Sequence, residues 1–194
     1  MESKPSDPFP ASGRARLREN AGQGNSSGRP PPVDHGDLDM RIARDGSWHY
    51  RGSPINRIPL VKLFASVLRR EADGSYWLVT PAERGRIAVE DAPFLAVALS
   101  AEGEGREQRL IFRTNLDEIV TAGAGHPLTV TTSAAGEPAP YILVRGALTA
   151  KLTRAVFYEL IELGVAEESG SGRKFGVWSM GVFFRLGEPG PDWD

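Results

Sequence analysis

The sequence contains no cysteine, which excludes disulfide bonds, thiolate zinc sites and cysteine nucleophiles. No apolar run is longer than a strand, so we expect no transmembrane helix. Neither sign of charge dominates, because 23 Lys+Arg residues face 25 Asp+Glu residues. We therefore expect no membrane partner, and nucleic acid is a disfavoured partner. The absence of cysteine suits a reducing compartment, and we predict a cytoplasmic location.

The common catalytic and nucleotide-binding motifs are also missing. The chain has no G-x-x-x-x-G-K-[ST] loop, no strand-borne G-x-G-x-x-G, no G-x-S-x-G elbow and no H-E-x-x-H. Its three histidines, at positions 35, 49 and 126, are too scattered to indicate a zinc site. We therefore assign no catalytic residue and no metal ligand, favour a role other than catalysis, and leave the cofactor open.

Composition divides the chain into a tail, a body and a terminal cap. Proline, glycine and serine supply 15 of the first 33 residues, and large apolar side chains are rare there. Such a segment cannot offset its ordering entropy by burial, so we predict a disordered tail over 1–33. The last residues, 187–194, are predicted to form a short acidic cap.

The body alternates short apolar strands with tight turns. The segment 38–42 has the period-2 pattern of a half-buried strand, and Asp45-Gly46 predicts a hairpin turn after it. A second hairpin is predicted from 94–99 to 108–113. Because neighbouring strands follow one another closely, we expect an α+β fold with mainly antiparallel sheets.

Two amphipathic helices interrupt the strands. The first is predicted to be capped by Asn56 and to carry its apolar stripe through Leu68; the second is predicted from Arg154 to Leu163, with Thr153 as its cap. The two align without a gap when Arg57 is placed on Arg154, 97 residues later. We interpret this as a duplicated strand–helix–strand unit, with repeats at 34–100 and 101–186. The alternative is that two amphipathic helices share the same spacing by chance.

One polar cluster lies on the first predicted strand. Asp37, Asp39 and Arg41 alternate, so they are expected to share one strand face beside His35. Two carboxylates beside a histidine are compatible with metal binding or acid–base catalysis. A solvated face in which Arg41 pairs with Asp39 is the alternative.

Two further places carry residues suited to a ligand. Arg113-Thr114-Asn115 ends a predicted strand, where an arginine fork could hold an anion; Asn115 could equally be a turn residue. His126 precedes a proline, and we expect it to be either a ligand contact or a turn residue.

Several of these segments together resemble an uncharacterised bacterial family, domain of unknown function 1285. The resemblance runs from about His35 to Leu186 and departs at Arg84, where the family tends to have lysine. The segments that carry it are Gly36–Ile42, Gly52–Arg57, Tyr76–Pro81, Glu90–Phe94, Arg113–Asn115, His126–Leu128 and Pro140–Arg145.

The resemblance implies a duplicated α+β core whose second half is similar to pleckstrin-homology-like folds. It assigns no reaction, and it suggests signal transduction through a small anionic ligand, such as a nucleotide, held between the two halves. The alternatives are a hydrolase using Asp37, Asp39 and His35, or a protein-interaction module with an exposed β-edge. The matching polar positions predicted to bind the ligand are Asp37, Asp39, Arg41, Arg57, Thr80, Arg113, Asn115, His126 and Arg145.

Overall fold

The computed structural model describes residues 31–133, 136–169 and 172–187, and most of its regular structure is β-strand. Two α-helices, α1 (Ile58–Ser66) and α2 (Arg154–Glu162), and a short 3-10 helix (Gly105–Glu107) accompany the strands. The strands are β1 (Val33–Ile42), β2 (Trp48–Tyr50), β3 (Ser53–Pro54), β4 (Leu68–Arg70), β5 (Tyr76–Val79), β6 (Glu83–Val89), β7 (Phe94–Glu102), β8 (Arg109–Thr114), β9 (Ile119–Thr121), β10 (Leu128–Thr132), β11 (Pro138–Arg145), β12 (Leu148–Leu152), β13 (Val165–Ser169), β14 (Gly172–Ser179) and β15 (Val182–Gly187).

Two six-stranded sheets share one connectivity. The first has the order β3-β2-β1-β6-β5-β4 and the second has β9-β8-β7-β12-β11-β10, so each strand of the second corresponds to the strand six earlier. In each sheet two three-stranded antiparallel meanders are joined by one parallel pair, β1 with β6 and β7 with β12. The predicted α+β class, mainly antiparallel and internally duplicated, is confirmed.

The helices do not follow the repeat of the sheets. Helix α1 lies between β3 and β4, whereas α2 follows β12. Equivalent strands β1 and β7 begin at Val33 and Phe94, which are 61 residues apart, and not 97. The alignment of the two helices therefore pairs elements that are not equivalent. The sheets divide the chain just before Phe94, whereas the predicted boundary between residues 100 and 101 falls inside β7.

Helix α1 is shorter than its apolar stripe predicts. It ends at Ser66, and Leu68 begins β4, where it pairs with Leu78 and is fully buried. Pairing with β5 therefore outcompetes continuation of the helix. The N-cap residue is Arg57 rather than the predicted Asn56, and no side chain caps this end. Helix α2 matches its predicted bounds closely, and Val156 and Leu160 are buried. Thr153 occupies the N-cap position, but its side chain makes no capping hydrogen bond.

The predicted terminal segments lie mostly outside the described residues. Within the predicted tail, 1–33, the structure begins at residue 31, and Val33 already belongs to β1, its amide donating to Ala82 O at 2.9 Å. Of the predicted acidic cap, 187–194, the structure describes Gly187, the last residue of β15.

A third, antiparallel sheet, β13-β14-β15, packs on the second half through a buried serine. Ser179 is fully buried; its hydroxyl accepts a hydrogen bond from the Leu110 amide (3.0 Å) and donates one to Ala122 O (2.8 Å). This single side chain thus ties β14 to β8 and to the residue after β9. Buried polar groups of this kind are costly when they lose their partners.

We predict that Ser179→Ala destabilises the protein by about 1–3 kcal/mol, because it leaves a buried amide and a buried carbonyl without partners. Urea unfolding at neutral pH measures the change. Ser100→Ala, at an exposed position of β7, is the matched control and should leave the midpoint unchanged. Equal midpoints for both variants would contradict this role of Ser179.

Candidate functional site

A groove runs along the junction of the two halves. It consists of two cavities of about 440 and 310 Å3 that share Arg69 and Arg145. The first half contributes the end of α1 and strand β4, and the second half contributes the turns after β8 and β11. We call it the junction groove; its lining residues are Lys62, Ala65, Ser66, Leu68, Arg69, Arg70, Leu116, Glu118, Arg145, Gly146, Ala147 and Leu148.

Arg145 joins the two halves at this groove. Its guanidinium makes a two-point contact with Glu118, with Nε 3.0 Å from Oε2 and Nη2 3.3 Å from Oε1. Nη2 also donates to Ala65 O, 2.6 Å away, near the carbonyl end of α1. The last carbonyls of a helix have no partner within the helix and attract cations. Arg145 therefore donates to Ala65 O in the first half while Glu118 in the second half holds its guanidinium in place.

Lys62 forms a second link across the junction. Its Nζ lies 2.7 Å from Asp117 Oδ2, and Arg113 lies 3.3 Å from the other oxygen of that carboxylate. The hydrogen bond from Lys62 and its charge, with a smaller contribution from Arg113, hold the pKa of Asp117 below its ordinary value. The predicted ligand residue Arg113 is therefore paired with Asp117, and it is not among the residues that line the groove.

Arg69 and Arg70 differ from these paired cations. Arg69 donates to the carbonyl of Leu68 at 2.8 Å, and the Arg70 guanidinium lies 5.3 Å from the centre of the Tyr76 ring. Neither arginine forms an ion pair with a carboxylate in the part of the chain that the structure describes. The groove thus offers two cations without acidic partners beside two that are paired.

A separate cavity, of about 460 Å3, lies within the first half. It is formed by β1, one residue of β2, the turn between β2 and β3, and one residue of β6. We call it the hairpin cavity; its lining residues are Asp37, Asp39, Met40, Arg41, His49, Arg51, Gly52 and Ala88.

The nine residues predicted to bind the ligand are divided between several places. Asp37, Asp39 and Arg41 share the hairpin cavity, and Arg145 lines the junction groove. Arg41 pairs with Glu90, and not with Asp39. His35, proposed beside the two aspartates in the hydrolase alternative, pairs with Glu83 at 3.6 Å and does not line the cavity.

The remaining predicted residues have local structural roles. Asn115 makes two hydrogen bonds with the backbone of Leu95: its backbone N–H donates to Leu95 O (2.8 Å), and its side-chain Oδ1 accepts from the Leu95 N–H (3.0 Å). Thr80 Oγ1 accepts amide hydrogen bonds within the turn before β6. His126 Nδ1 lies 3.0 Å from Leu143 O, and Arg57 occupies the N-cap position of α1.

The sequence predictions missed Lys62, Arg69 and Glu118 in the junction groove. Arg69 directly follows the apolar stripe of the predicted first helix, and the local pattern gives no sign that β4 begins at Leu68. Glu118 lies in a weakly patterned stretch after Asn115. The one usable signal was the scarcity of lysine, since Lys62 is one of four in the chain.

The linker between the halves is anchored on both sides by consecutive acids. Glu90 accepts hydrogen bonds from the Arg41 side chain and from the Arg44 amide (3.2 Å), both in the first half. Asp91 accepts from the Tyr141 hydroxyl (2.7 Å) and from Lys151 Nζ (2.5 Å), both in the second. The backbone between these two residues is therefore restrained where it enters the second sheet.

Asp91 and Tyr141 have shifted pKa values in opposite directions. Burial raises the pKa of Asp91, but the hydrogen bonds from Lys151 and Tyr141 outweigh burial and bring it below its ordinary value. Burial, followed by the hydrogen bond to Asp91 and the charge of that carboxylate, raises the pKa of Tyr141 to about 12.

Within the described ranges, no three His, Asp or Glu side chains are placed to hold a metal ion. None of the helices in those ranges is both long and apolar enough to cross a bilayer.

These features define an α+β protein with two topologically equivalent six-stranded halves and a charged groove between them. Comparison with known families identifies it further. The "Domain of unknown function (DUF1285), N-terminal domain" matches residues 29–92, and the "Protein of unknown function (DUF1285), C-terminal domain" matches residues 93–186. The chain belongs to the DUF1285 family, as its motifs predicted.

Two solved structures of the same family are similar to this chain. A DUF1285 family protein from Silicibacter pomeroyi DSS-3 is 46% identical, with a TM-score of 0.76, and the match covers 84% of this chain and 90% of that one. A DUF1285 family protein from Shewanella baltica OS155 is 28% identical, with a TM-score of 0.51, and the match covers 65% of this chain and 91% of that one. No curated protein matches the chain significantly.

The raised pKa of Tyr141 predicts an alkaline loss of stability. A group whose pKa is higher in the folded state contributes stability that is complete below its unfolded pKa of about 10 and is lost as the pH rises through about 12. The free energy of unfolding should therefore fall more steeply between pH 10 and 12 for the natural protein than for Tyr141→Phe. Urea titrations at several pH values measure this. Parallel curves for the two proteins would show that Tyr141 does not titrate in this way.

Proposed function

We propose that this chain is a cytoplasmic sensor in bacterial signal transduction that binds a small anionic ligand, such as a nucleotide, in the junction groove. The observation that carries the proposal is the pair Arg69 and Arg70, two guanidinium groups without carboxylate partners among the described residues, on a groove of 440 and 310 Å3 between two halves. Arginine is well suited to a phosphate or carboxylate because its planar fork donates two parallel hydrogen bonds.

The groove also offers acceptors beside its donors. Glu118 and the carbonyls of Ala65 and Ser66 lie near the cations, and Ser66 adds a hydroxyl to the lining. A nucleotide carries an anionic phosphate together with hydrogen-bond donors on its base and sugar, so both ends would find partners. A simple inorganic anion would use the arginines alone.

The position of the groove supports a sensing role. Its walls come from different halves, and Arg145 and Lys62 already connect them through polar contacts. A ligand that competes for these contacts would bias the arrangement of the halves by its difference in affinity for the two arrangements. Binding would then be converted into a change that a downstream protein can recognise.

We predict that at least one anion among inorganic phosphate and the nucleoside mono-, di- and triphosphates raises the thermal unfolding midpoint of the full chain. Selective binding to the folded state at 100 times Kd stabilises it by about 2.7 kcal/mol. Thermal-shift measurements across the panel, followed by calorimetric titration of the best compound, test this.

Arg69→Gln should abolish the shift, because it replaces one of the two unpaired guanidinium groups by a shorter, neutral polar side chain. Arg109→Gln is the matched control, since Arg109 is an exposed arginine of β8 that pairs with Glu102. The proposal fails if no compound shifts the midpoint, or if the shift persists in Arg69→Gln.

A further inference from the structure

The hairpin cavity carries opposite charges that its own residues leave unmatched. The pairing of β1 with β6 is irregular there: Asp37 is opposite Arg86 and Arg41 is opposite Ala88, so an advance of four positions along β1 matches an advance of two along β6. The extra length is taken up around Asp39, whose φ of 52° is left-handed. A bulge of this kind redirects side chains, and here Asp37, Asp39 and Arg41 all border the cavity.

The opposite wall is a tight turn bonded to Asp39. Arg51 and Gly52 both have positive φ, 49° and 80°, as in the two-residue turns that join twisted strands. The Arg51 amide donates to Asp39 O at 2.9 Å. The backbones of Asp39 and Arg51 are therefore held together.

Their side chains, however, do not pair. Neither the Asp39 carboxylate nor the Arg51 guanidinium forms an ion pair with any residue that the structure describes, and Arg51 lies 5.1 Å from the centre of the Tyr50 ring. Asp37 accepts one hydrogen bond, from the Asp39 amide at 2.8 Å. The cavity thus presents two carboxylates and a guanidinium whose charges are not neutralised by one another.

This charge pattern selects among ligand classes. A simple anion in this cavity would be repelled by the carboxylates of Asp37 and Asp39, and a metal cation would be repelled by the guanidinium of Arg51. A molecule that carries both charges on neighbouring atoms meets both attractions. We propose that the hairpin cavity binds a zwitterionic α-amino acid, with its ammonium on Asp37 and Asp39 and its carboxylate on Arg51.

This site is separate from the junction groove, because every residue that lines it belongs to the first half. Arg41 contributes to its wall but is already engaged by Glu90. The proposal therefore stands or falls independently of anion binding at Arg69.

Calorimetric titration of the full chain with each of the twenty free amino acids tests the proposal. We expect at least one to bind with Kd of about 1 mM or tighter. Its decarboxylated amine and its deaminated acid should each bind at least about tenfold more weakly, because each lacks one of the two charges. Absence of binding by all twenty, or equal binding of the amine or the acid, would overturn the proposal.

Variants identify the site. Asp39→Asn keeps a residue that tolerates left-handed backbone, and Arg51→Gln replaces the guanidinium by a shorter, neutral polar side chain; each should weaken binding at least about tenfold. Glu102→Gln and Arg109→Gln make the same charge changes at an exposed ion pair of β7 and β8 and should leave binding unchanged. Should Asp39→Asn fail to fold, Arg51→Gln alone decides. Binding that survives both cavity variants, or that is lost in Arg69→Gln, would refute this location.

Discussion

Each half of the molecule depends on one parallel pairing at its centre. Because β1 lies beside β6 and β7 beside β12, two meanders that are separate in sequence become one sheet. Parallel neighbours need a long crossover, and in the first half that crossover includes α1. Both α1 and β4 lie within this crossover, so the crossover supplies one wall of the junction groove.

Polar contacts are prominent where the halves meet. Arg145, Lys62 and Asp91 each contribute a charged group to that region, and Arg145 and Asp91 are only partly exposed. Partly buried ion pairs recover their desolvation cost only when the geometry is good and further hydrogen bonds complete them, which is the case for both. The proposed ligand would compete with these internal partners.

The predicted site residues differ in how far local pattern could place them. Alternation predicted that Asp37, Asp39 and Arg41 lie together, and they do share one cavity. The strand is irregular there, however, with left-handed backbone at Asp39, and Met40 between them lines the same cavity. The partners of Arg145 could not be predicted in this way. Glu118 is 27 residues away and Ala65 is 80 residues away, and these distances are bridged only by sheet closure.

The residues by themselves determined most of the strands, though not β4, and both helices to within a few positions, together with the α+β class and the family, since periodicity and turn chemistry act over a few neighbours. Tertiary structure decided the rest. It made Leu68 a strand residue, because pairing with Leu78 buries it completely. It also placed the duplication in the sheets rather than in the helices, and it brought Arg69 and Arg145 to one groove, because long-range pairing determines which distant side chains meet.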